Sequence, residues 1–153
     1  MKKFFVKMFA MAMVFSMAAC GKTADNETIS NDDAQKHKTV TIQALNANQE
    51  KTDIEVPYNP QRIAILDMPA LDIIDALGLG ERVVGSAKVT IEYLTDYNPE
   101  DSDGAIMNLG TIKTADLEKV AASEPDIIFI GGRLASIYAE LETIAPVVYL
   151  TVD

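Results

Sequence analysis

Arg133 is the residue whose type and position most clearly suggest binding chemistry. It follows the apolar run Ile127–Ile130 and two glycines, Gly131 and Gly132. Arginine stays protonated at any working pH, and its planar guanidinium forms paired hydrogen bonds with oxygen anions. The alternative is a solvated residue at the start of a helix, where a cation opposes the helix dipole. We therefore favour a role for Arg133 in ligand binding.

Lys88, Gly110 and Thr111 are weaker candidates, because only the predicted topology connects them to Arg133. Lys88 follows a short apolar run, and its ammonium would act as a point charge. A surface lysine explains it equally well. The turns at Gly110-Thr111 and Asp67-Met68 are predicted to line the same rim.

Combinations of residues that would carry catalysis are missing from the sequence. It has no P-loop, no nucleophile elbow and no histidine in the predicted folded part. Its carboxylate pairs, such as Asp101 with Asp103, lie in a polar stretch that is typical of solvated loops. We therefore predict that the protein is not an enzyme, and we assign no catalytic residue, no metal ligand and no intrinsic cofactor.

The segment around Arg133 predicts a strand, a helix and a second strand. Ile127–Ile130 is an apolar run too short for a helix, after the turn Glu124–Asp126. Val147–Leu150 is the next strand, after Pro146. Between them, apolar residues recur at helical spacing: Leu134, Ile137, Tyr138, Leu141 and Ile144. In open α/β sheets, ligands bind outside the carboxyl ends of the strands, which is where Arg133 falls.

The preceding residues continue the alternation of strands and helices. Residues 39–42 and 52–56 alternate in polarity and predict a β-hairpin at the edge of the domain. Strands are also predicted at 62–66 and 82–85, with an irregular segment at 90–108. A helix with Pro69 in its first turn ends at Gly78 and has this apolar face: Ala70, Leu71, Ile73, Ile74 and Leu77. This alternation predicts an α/β fold with a mainly parallel sheet.

One more helix is predicted between the irregular segment and the strand that precedes Arg133. Thr114 is a plausible N-cap, and Asp116 in the first turn suits the helix dipole. The buried face of this helix is predicted to consist of Leu117, Val120 and Ala121.

The start of the chain predicts export and lipid attachment. A basic segment precedes the apolar stretch Met8–Ala19, which has the length of a secretory signal and is too short to span a bilayer. Small residues before Cys20 are similar to a bacterial lipobox, although Met17 departs from the usual leucine. The alternative is an ordinary signal peptide with an incidental Cys20. We predict a signal peptide at 1–19 and, at 20–38, a lipidated N-terminus with a disordered tether.

The net negative charge of the chain argues against large anionic partners. Of the 13 lysines and arginines, Lys2, Lys3 and Lys7 lie in the predicted signal, so the mature chain has 10 against 23 acidic residues, or −13. So acidic a chain is a poor candidate for binding nucleic acid or an anionic membrane surface. Attachment to the membrane is therefore expected through lipid at Cys20. His37 lies in the predicted tether and is expected to be solvated.

The chain resembles the ferric-siderophore-binding lipoproteins of bacterial ABC importers, within the wider iron-siderophore and cobalamin group. The resemblance covers Val40–Asp153 and rests on VPYNPQRIAILDMPALDIIDALGL, VVGSAK, NLGTIKTADLEKVAASEPDIIFIGGR and IAPVVYLTVD. The phrases NPQRIAILD, DIIDALGL and IAPVVYLTVD are closer to the catecholate branch (petrobactin and enterobactin types). The resemblance implies a Rossmann-like lobe at 39–153, half of a two-lobed protein, with the linker helix and second lobe absent after Asp153.

The resemblance also implies a ligand, a transporter and roles for two residues. A ferric tris-catecholate is a compact trianion, which arginines from both lobes neutralise in the family. Arg133 matches the first-lobe arginine, and Lys88 falls where catecholate-binding relatives carry a basic residue. The family delivers its ligand to ABC importer permease subunits, but neither Glu140 nor Glu142 matches the acidic docking residue. One lobe alone is expected to bind poorly.

Two alternatives remain at this stage. Haem and cobalamin carriers share the implied fold, and a lipid-anchored interaction domain without a small ligand is also compatible with the sequence. Carriers of free zinc or manganese are disfavoured, because they use several histidines as ligands.

Overall fold

The computed structural model describes residues 38–99 and 105–151. The predicted signal peptide, Cys20 and the predicted tether up to His37 lie outside the described residues. So do the carboxylates of Asp101 and Asp103.

A mixed sheet of seven strands forms the centre of the lobe. Its strands are Thr39–Leu45 (β1), Lys51–Pro57 (β2), Ile63–Leu66 (β3), Val83–Ser86 (β4), Met107–Asn108 (β5), Ile127–Gly131 (β8) and Val147–Leu150 (β9). The short strands Gly110–Thr111 (β6) and Thr114–Ala115 (β7) form a separate hairpin. The α-helices are Met68–Ala76 (α1), Leu117–Ala122 (α2) and Tyr138–Glu142 (α3), and 3-10 helices cover Gly80–Arg82, Glu92–Tyr97 and Gly132–Ile137.

The strand order confirms the predicted α/β class. From one edge to the other it is β2-β1-β9-β8-β3-β4-β5, and the five strands from β9 to β5 are parallel. From β3 the chain moves outward to β4 and β5, then returns to β8 on the other side of β3. The order therefore reverses between β3 and β8, which is the position at which open α/β sheets form a ligand crevice.

Apolar side chains fill both faces of the central strands. All four residues of β3 are buried, and Ile128 and Ile130 of β8 are fully buried. Each such side chain contributes about 1.5–3 kcal/mol through removal of its apolar surface from water. This explains why β3 and β8 are nearly continuous apolar runs, as parallel strands covered on both faces are.

The predicted edge hairpin is confirmed. β1 and β2 pair antiparallel from Thr39 opposite Pro57 to Leu45 opposite Lys51. The Asn46 side chain holds the turn, because its Oδ1 accepts hydrogen bonds from the N–H groups of Asn48 at 2.9 Å and Glu50 at 3.0 Å. β1 meets the parallel part of the sheet at a single antiparallel pair, Leu45 with Tyr149.

The predicted apolar face of α1 is only partly correct. Pro69 lies in the first turn and Gly78 follows the helix with φ of +69°, both as predicted. Ile73 and Leu77, however, are 56% and 64% exposed. Helical spacing does not distinguish residues that face the sheet from neighbouring residues on the helix surface that face solvent. The buried face consists of Met68, Ala70, Leu71 and Ile74.

The predicted start of the next helix near Thr114 is wrong. Thr114 belongs to β7, and α2 begins at Leu117 with Asp116 as its N-cap. The Asp116 carboxylate accepts a hydrogen bond from Lys119 N–H at 3.1 Å. Thr111 causes the difference, because its hydroxyl oxygen accepts from the N–H groups two and three residues on and folds the chain into the hairpin. Val120 is buried, whereas Leu117 is half-buried and Ala121 is exposed.

The single helix predicted after Arg133 is divided into two. Residues 132–137 form a 3-10 helix, and α3 follows from Tyr138. Ile137 has φ of −113° and ψ of 16°, outside the α-helical range, and interrupts the hydrogen-bond ladder. The predicted apolar spacing is only partly confirmed: Leu134, Tyr138 and Leu141 are buried, whereas Ile137 and Ile144 are half-buried.

Candidate functional site

The predicted binding residues all follow strands of the parallel part of the sheet. Arg133 comes two residues after β8, and Lys88 comes two residues after β4. Gly110 and Thr111 form β6, directly after β5. Parallel strands end at the same edge, so these residues share the carboxyl edge of the sheet, with β3 between the strands that carry Arg133 and Lys88.

Arg133 is the second residue of the 3-10 helix Gly132–Ile137, and its side chain is exposed. Within the described residues its guanidinium makes no hydrogen bond and no ion pair. The other two arginines of the chain, Arg62 and Arg82, both donate hydrogen bonds to neighbouring groups. Arg133 is thus the arginine whose five donors remain available to a ligand.

The two glycines before Arg133 are not required by a left-handed backbone conformation. Gly131 has φ of −100° and ψ of 174°, which any residue adopts, and Gly132 does not have positive φ either. Instead, a β-carbon at position 131 would collide with the Asp67 carboxylate. Glycine at 131 therefore leaves room for the Asp67 side chain, which lies against it.

Lys88 and Gly110 are joined through the backbone. The Lys88 N–H donates to the Gly110 carbonyl at 2.9 Å, and the Gly110 N–H donates to Asn108 Oδ1 at 2.9 Å. Gly110 has φ of +103°, a conformation that side chains rarely adopt. The Lys88 side chain is exposed at this position.

Thr111 is exposed, but its hydroxyl oxygen already has a structural role. It accepts hydrogen bonds from Lys113 N–H at 3.2 Å and Thr114 N–H at 3.1 Å. Its hydroxyl hydrogen remains available for donation to a ligand.

A pocket of about 280 Å³ lies at the reversal of strand order. Asp67 at the end of β3, Gly132 after β8 and Leu150 at the end of β9 all line it. The lining is mostly apolar, and its other members are Pro69, Ala70, Ile73 and Thr151. The sequence placed the Asp67 turn on this rim but did not identify Asp67 as a binding residue. The signal available was the position of an aspartate directly after a buried strand.

Asp67 is half-buried, and only one of its carboxylate oxygens is hydrogen-bonded. Oδ2 accepts from Ala70 N–H at 3.1 Å as the N-cap of α1. Oδ1 accepts no hydrogen bond from the described residues and lies against Gly131. Burial raises the pKa of Asp67 above its usual value, and the hydrogen bond from Ala70 opposes that rise only in part. A residue that lines the pocket therefore has an acceptor with unused capacity.

A larger depression of about 600 Å³ lies on the other side of Leu150 and Thr151. It forms where β1 diverges from β9, and it is lined by the hairpin residues Gln43–Leu45, Gln49 and Lys51. It contains none of the predicted binding residues, and it is open. We therefore place the candidate site at the smaller pocket and Arg133.

Within residues 38–99 and 105–151, no group of three or more His, Cys, Asp or Glu side chains is arranged to hold a metal ion. No helix in these ranges has the length and apolar character needed to cross a bilayer.

The sequence matches the profile of one protein family, described as periplasmic binding protein, over residues 63–153. The chain belongs to the periplasmic binding protein family. Its members bind ligands and are not enzymes, which confirms the prediction that this protein is not an enzyme. The match starts at β3 and includes the whole carboxyl edge with Arg133.

Relatives in this family bind iron chelates of different chemistry. The chain is 33% identical, over 100% of its length and 45% of the relative, to the petrobactin-binding protein YclQ of Bacillus subtilis. It is 26% identical over 99% of its length and 44% of the relative to the iron(3+)-hydroxamate-binding protein FhuD of the same species. The resemblance to siderophore-binding proteins that the sequence indicated is thereby confirmed at the level of the family.

Solved structures confirm the fold. The crystal structure of YclQ superposes with a TM-score of 0.67 at 33% identity, over 76% of this chain and 39% of that one. The periplasmic catecholate-siderophore binding protein VctP of Vibrio cholerae gives a TM-score of 0.63 at 30% identity, over 76% and 38%. The chain thus spans less than half the length of these relatives and corresponds to one lobe of a two-lobed protein.

Proposed function

We propose that this lobe is part of an extracytoplasmic solute-binding lipoprotein that captures a ferric siderophore, of the catecholate class, for delivery to an ABC importer. The observation that carries the proposal is Arg133. It is exposed at the carboxyl edge, beside a pocket at the reversal of strand order, and no described residue neutralises it.

The charge of the ligand favours a catecholate over a hydroxamate. A ferric tris-catecholate carries three negative charges, whereas a ferric tris-hydroxamate is neutral, so an available guanidinium discriminates between them. YclQ and VctP, named for petrobactin and for catecholate siderophores, are also more similar to this chain than FhuD is.

Lys88, Gly110 and Thr111 are proposed as secondary contacts. Lys88 adds a second positive charge at the same edge, and Thr111 offers a hydroxyl donor to catecholate oxygens. Gly110 brings backbone close to the rim, because its positive φ and the hydrogen bond from Lys88 fix the turn. Partners follow from the family: the ferric-siderophore complex, the permease subunits and no nucleic acid.

Membrane attachment is proposed through Cys20, after removal of residues 1–19 and with residues 20–38 as the tether. The protein would then lie on the outer face of the cytoplasmic membrane. Mass spectrometry of the mature N-terminus tests this, since a diacylglyceryl thioether on Cys20 is expected. An unmodified Cys20, or cleavage elsewhere, would contradict lipidation without bearing on the ligand.

Substitution of Arg133 tests the ligand proposal. A charge-assisted hydrogen bond contributes about 1.5–3 kcal/mol, so Arg133→Ala should weaken binding of a ferric tris-catecholate by about 10- to 150-fold. Arg133→Lys should recover part of the affinity, because the charge returns without the planar fork. Dissociation constants come from quenching of tyrosine fluorescence, in this chain and in a hybrid that carries residues 39–151 in place of the matching part of YclQ.

Three controls make the outcome specific. Lys51→Ala removes a cation from the larger depression and should leave affinity unchanged. A ferric tris-hydroxamate should bind weakly to the parent protein. Haem and cobalamin serve as competing ligands, and tighter binding of either one would replace the catecholate assignment. Equal affinity of Arg133→Ala and the parent would show that the site assignment is wrong.

A further inference from the structure

Asp67 lines the pocket beside Arg133, yet nothing in the proposed function uses it. Its Oδ2 is occupied as the N-cap of α1, at 3.1 Å from Ala70 N–H. Its Oδ1 is half-buried against Gly131 and accepts no hydrogen bond from the described residues. A partly desolvated acceptor without a donor is costly, and a ligand that supplies the donor recovers that cost.

The second N-cap aspartate of the lobe shows that this arrangement is not a general feature of capping. Asp116 caps α2 with the same geometry, and its carboxylate accepts from Lys119 N–H at 3.1 Å. It also forms an ion pair with the Lys119 side chain at 3.4 Å, and these contacts hold its pKa below the usual value. Asp67 has no cationic partner in the part of the chain that the structure describes, and burial shifts its pKa in the opposite direction.

The other residues that line the pocket indicate the chemical character of the ligand segment that carries the hydrogen-bond donor. Pro69, Ile73 and Leu150 are apolar, and Ile73 remains 56% exposed despite its size. A ligand segment made of carbon and carrying a polar hydrogen would cover Ile73 and reach Asp67. The anionic iron centre itself is excluded from this pocket, because catecholate oxygens and a carboxylate repel one another.

We infer that the pocket of Asp67, Pro69, Ile73, Gly132 and Leu150 is a subsite for the linker of the siderophore, and that Asp67 Oδ1 accepts a hydrogen bond from an N–H group of that linker. This inference rests on the proposed function and adds a selectivity to it. Arg133, next to Gly132, selects the charge of the iron centre, whereas Asp67 selects a linker with a nitrogen-bound hydrogen. An amide and a protonated amine both provide that hydrogen.

Three synthetic ferric tris-catecholates that differ at one linker nitrogen test the inference. One carries a secondary amide, one an N-methylated amide without N–H, and one a secondary amine that is protonated at neutral pH. The parent protein should bind the secondary amide at least about 10-fold more tightly than the N-methylated amide, as expected for a hydrogen bond to a charged acceptor. Tighter binding of the amine than of the amide would identify an ammonium as the natural donor. Tighter binding of the amide would identify an amide N–H as the natural donor.

Asp67→Asn is the decisive variant because it preserves the cap and the shape. Asparagine is as good an N-cap as aspartate, and its oxygen must take the place of Oδ2. The pocket then receives an NH2 group in place of an acceptor, so the preference for N–H linkers should disappear or reverse. Asp67→Ser keeps a capping hydroxyl and leaves the pocket position empty, and it should also abolish the preference. Asp116→Ser, the matched change at the other cap, should leave the preference intact.

Two results would overturn the inference. One is equal binding of the secondary and N-methylated amides by the parent. The other is an equal loss of affinity for all three ligands in Asp67→Asn and Asp67→Ser, which would assign Asp67 a purely structural role. If binding depends on Arg133 but ignores the linker nitrogen, only this inference fails. If the hybrid with YclQ binds no ferric catecholate, the proposed function fails together with it.

Discussion

The two edges of the parallel sheet carry similar residues and use them differently. At the amino edge, Arg62 donates to the carbonyls of Ser123 at 2.6 Å and Glu124 at 2.7 Å. Arg82 donates to Asn59 Oδ1 at 2.7 Å and the Pro60 carbonyl at 3.0 Å. At the carboxyl edge, Arg133 has no such partner among the described residues.

The aspartates show the same contrast. Asp126 Oδ2 at the amino edge accepts hydrogen bonds from the N–H groups of Gln61 at 2.8 Å and Arg62 at 3.0 Å. Among the described residues, Asp67 at the carboxyl edge has one oxygen that accepts no hydrogen bond. The charged groups at the amino edge secure turns within the fold, whereas Arg133 and Asp67 at the carboxyl edge keep unused hydrogen-bonding capacity.

The largest effect on stability is expected from Arg62→Ala. It removes two charge-assisted hydrogen bonds that hold the Ser123–Asp126 turn against β3, at about 1.5 kcal/mol each, or about 3 kcal/mol in total. Arg133→Ala removes no hydrogen bond or ion pair to a described residue and should change the free energy of unfolding by less than about 0.5 kcal/mol. Urea unfolding followed by circular dichroism measures both. A similar loss of unfolding free energy in the two variants would contradict the difference proposed between the two edges.

The next effect concerns the glycine pair at the carboxyl edge. An added β-carbon at Gly131 collides with Asp67, so Gly131→Ala should cost about 2 kcal/mol, as expected for overpacking. At Gly132 the closest atom to an added β-carbon is the Tyr149 hydroxyl oxygen at 3.3 Å, and Gly132→Ala should cost far less. Thermal unfolding of the two variants compares them directly. Equal stabilities would mean that Asp67 moves aside readily and that its position is not fixed.

The central strands and the site edge were predictable because they depend on local patterns. β3, β8 and β9 are short apolar runs bounded by turn residues, and α1 is framed by Pro69 and Gly78. Arg133 was found because a residue after a buried parallel strand falls at the carboxyl edge. The class of fold and the position of Arg133 at the carboxyl edge therefore follow from the sequence.

The pocket was not predictable, because it depends on the order of the strands. Only the return of the chain to β8 beside β3 brings Asp67 against Gly131 and Gly132. The two-residue strands β5, β6 and β7 carry no periodicity of their own and are defined by their partners. A helix start was predicted near Thr114, but the Thr111 hydroxyl stabilises a hairpin there by accepting two backbone hydrogen bonds. Residue propensities do not encode these hydrogen bonds.

The smallest effect sharpens the comparison with Arg133 and Asp67, because the Tyr97 hydroxyl is a satisfied polar group, in the 3-10 helix Glu92–Tyr97. Its hydroxyl donates to Asp75 Oδ1 at 2.6 Å, and its carbonyl accepts from the hydroxyl of Ser86, the last residue of β4. Burial and then Asp75 raise the pKa of Tyr97 from 10.0 to about 12. Tyr97→Phe should therefore cost about 1 kcal/mol at neutral pH, the usual contribution of one hydrogen bond.

The pH dependence of that cost identifies its origin. Between pH 10 and about 12 the unfolded chain loses the Tyr97 proton while the folded chain keeps it. The stability that the hydroxyl contributes is thus fully present below pH 10 and is lost as the pH rises through about 12. The difference in unfolding free energy between the parent and Tyr97→Phe should therefore shrink over that range. Tyr93→Phe is the comparison variant, at a side chain that is 68% exposed. Its unfolding free energy should differ less from that of the parent at every pH. A difference for Tyr97→Phe that stays constant up to pH 12 would mean that Asp75 does not hold this proton.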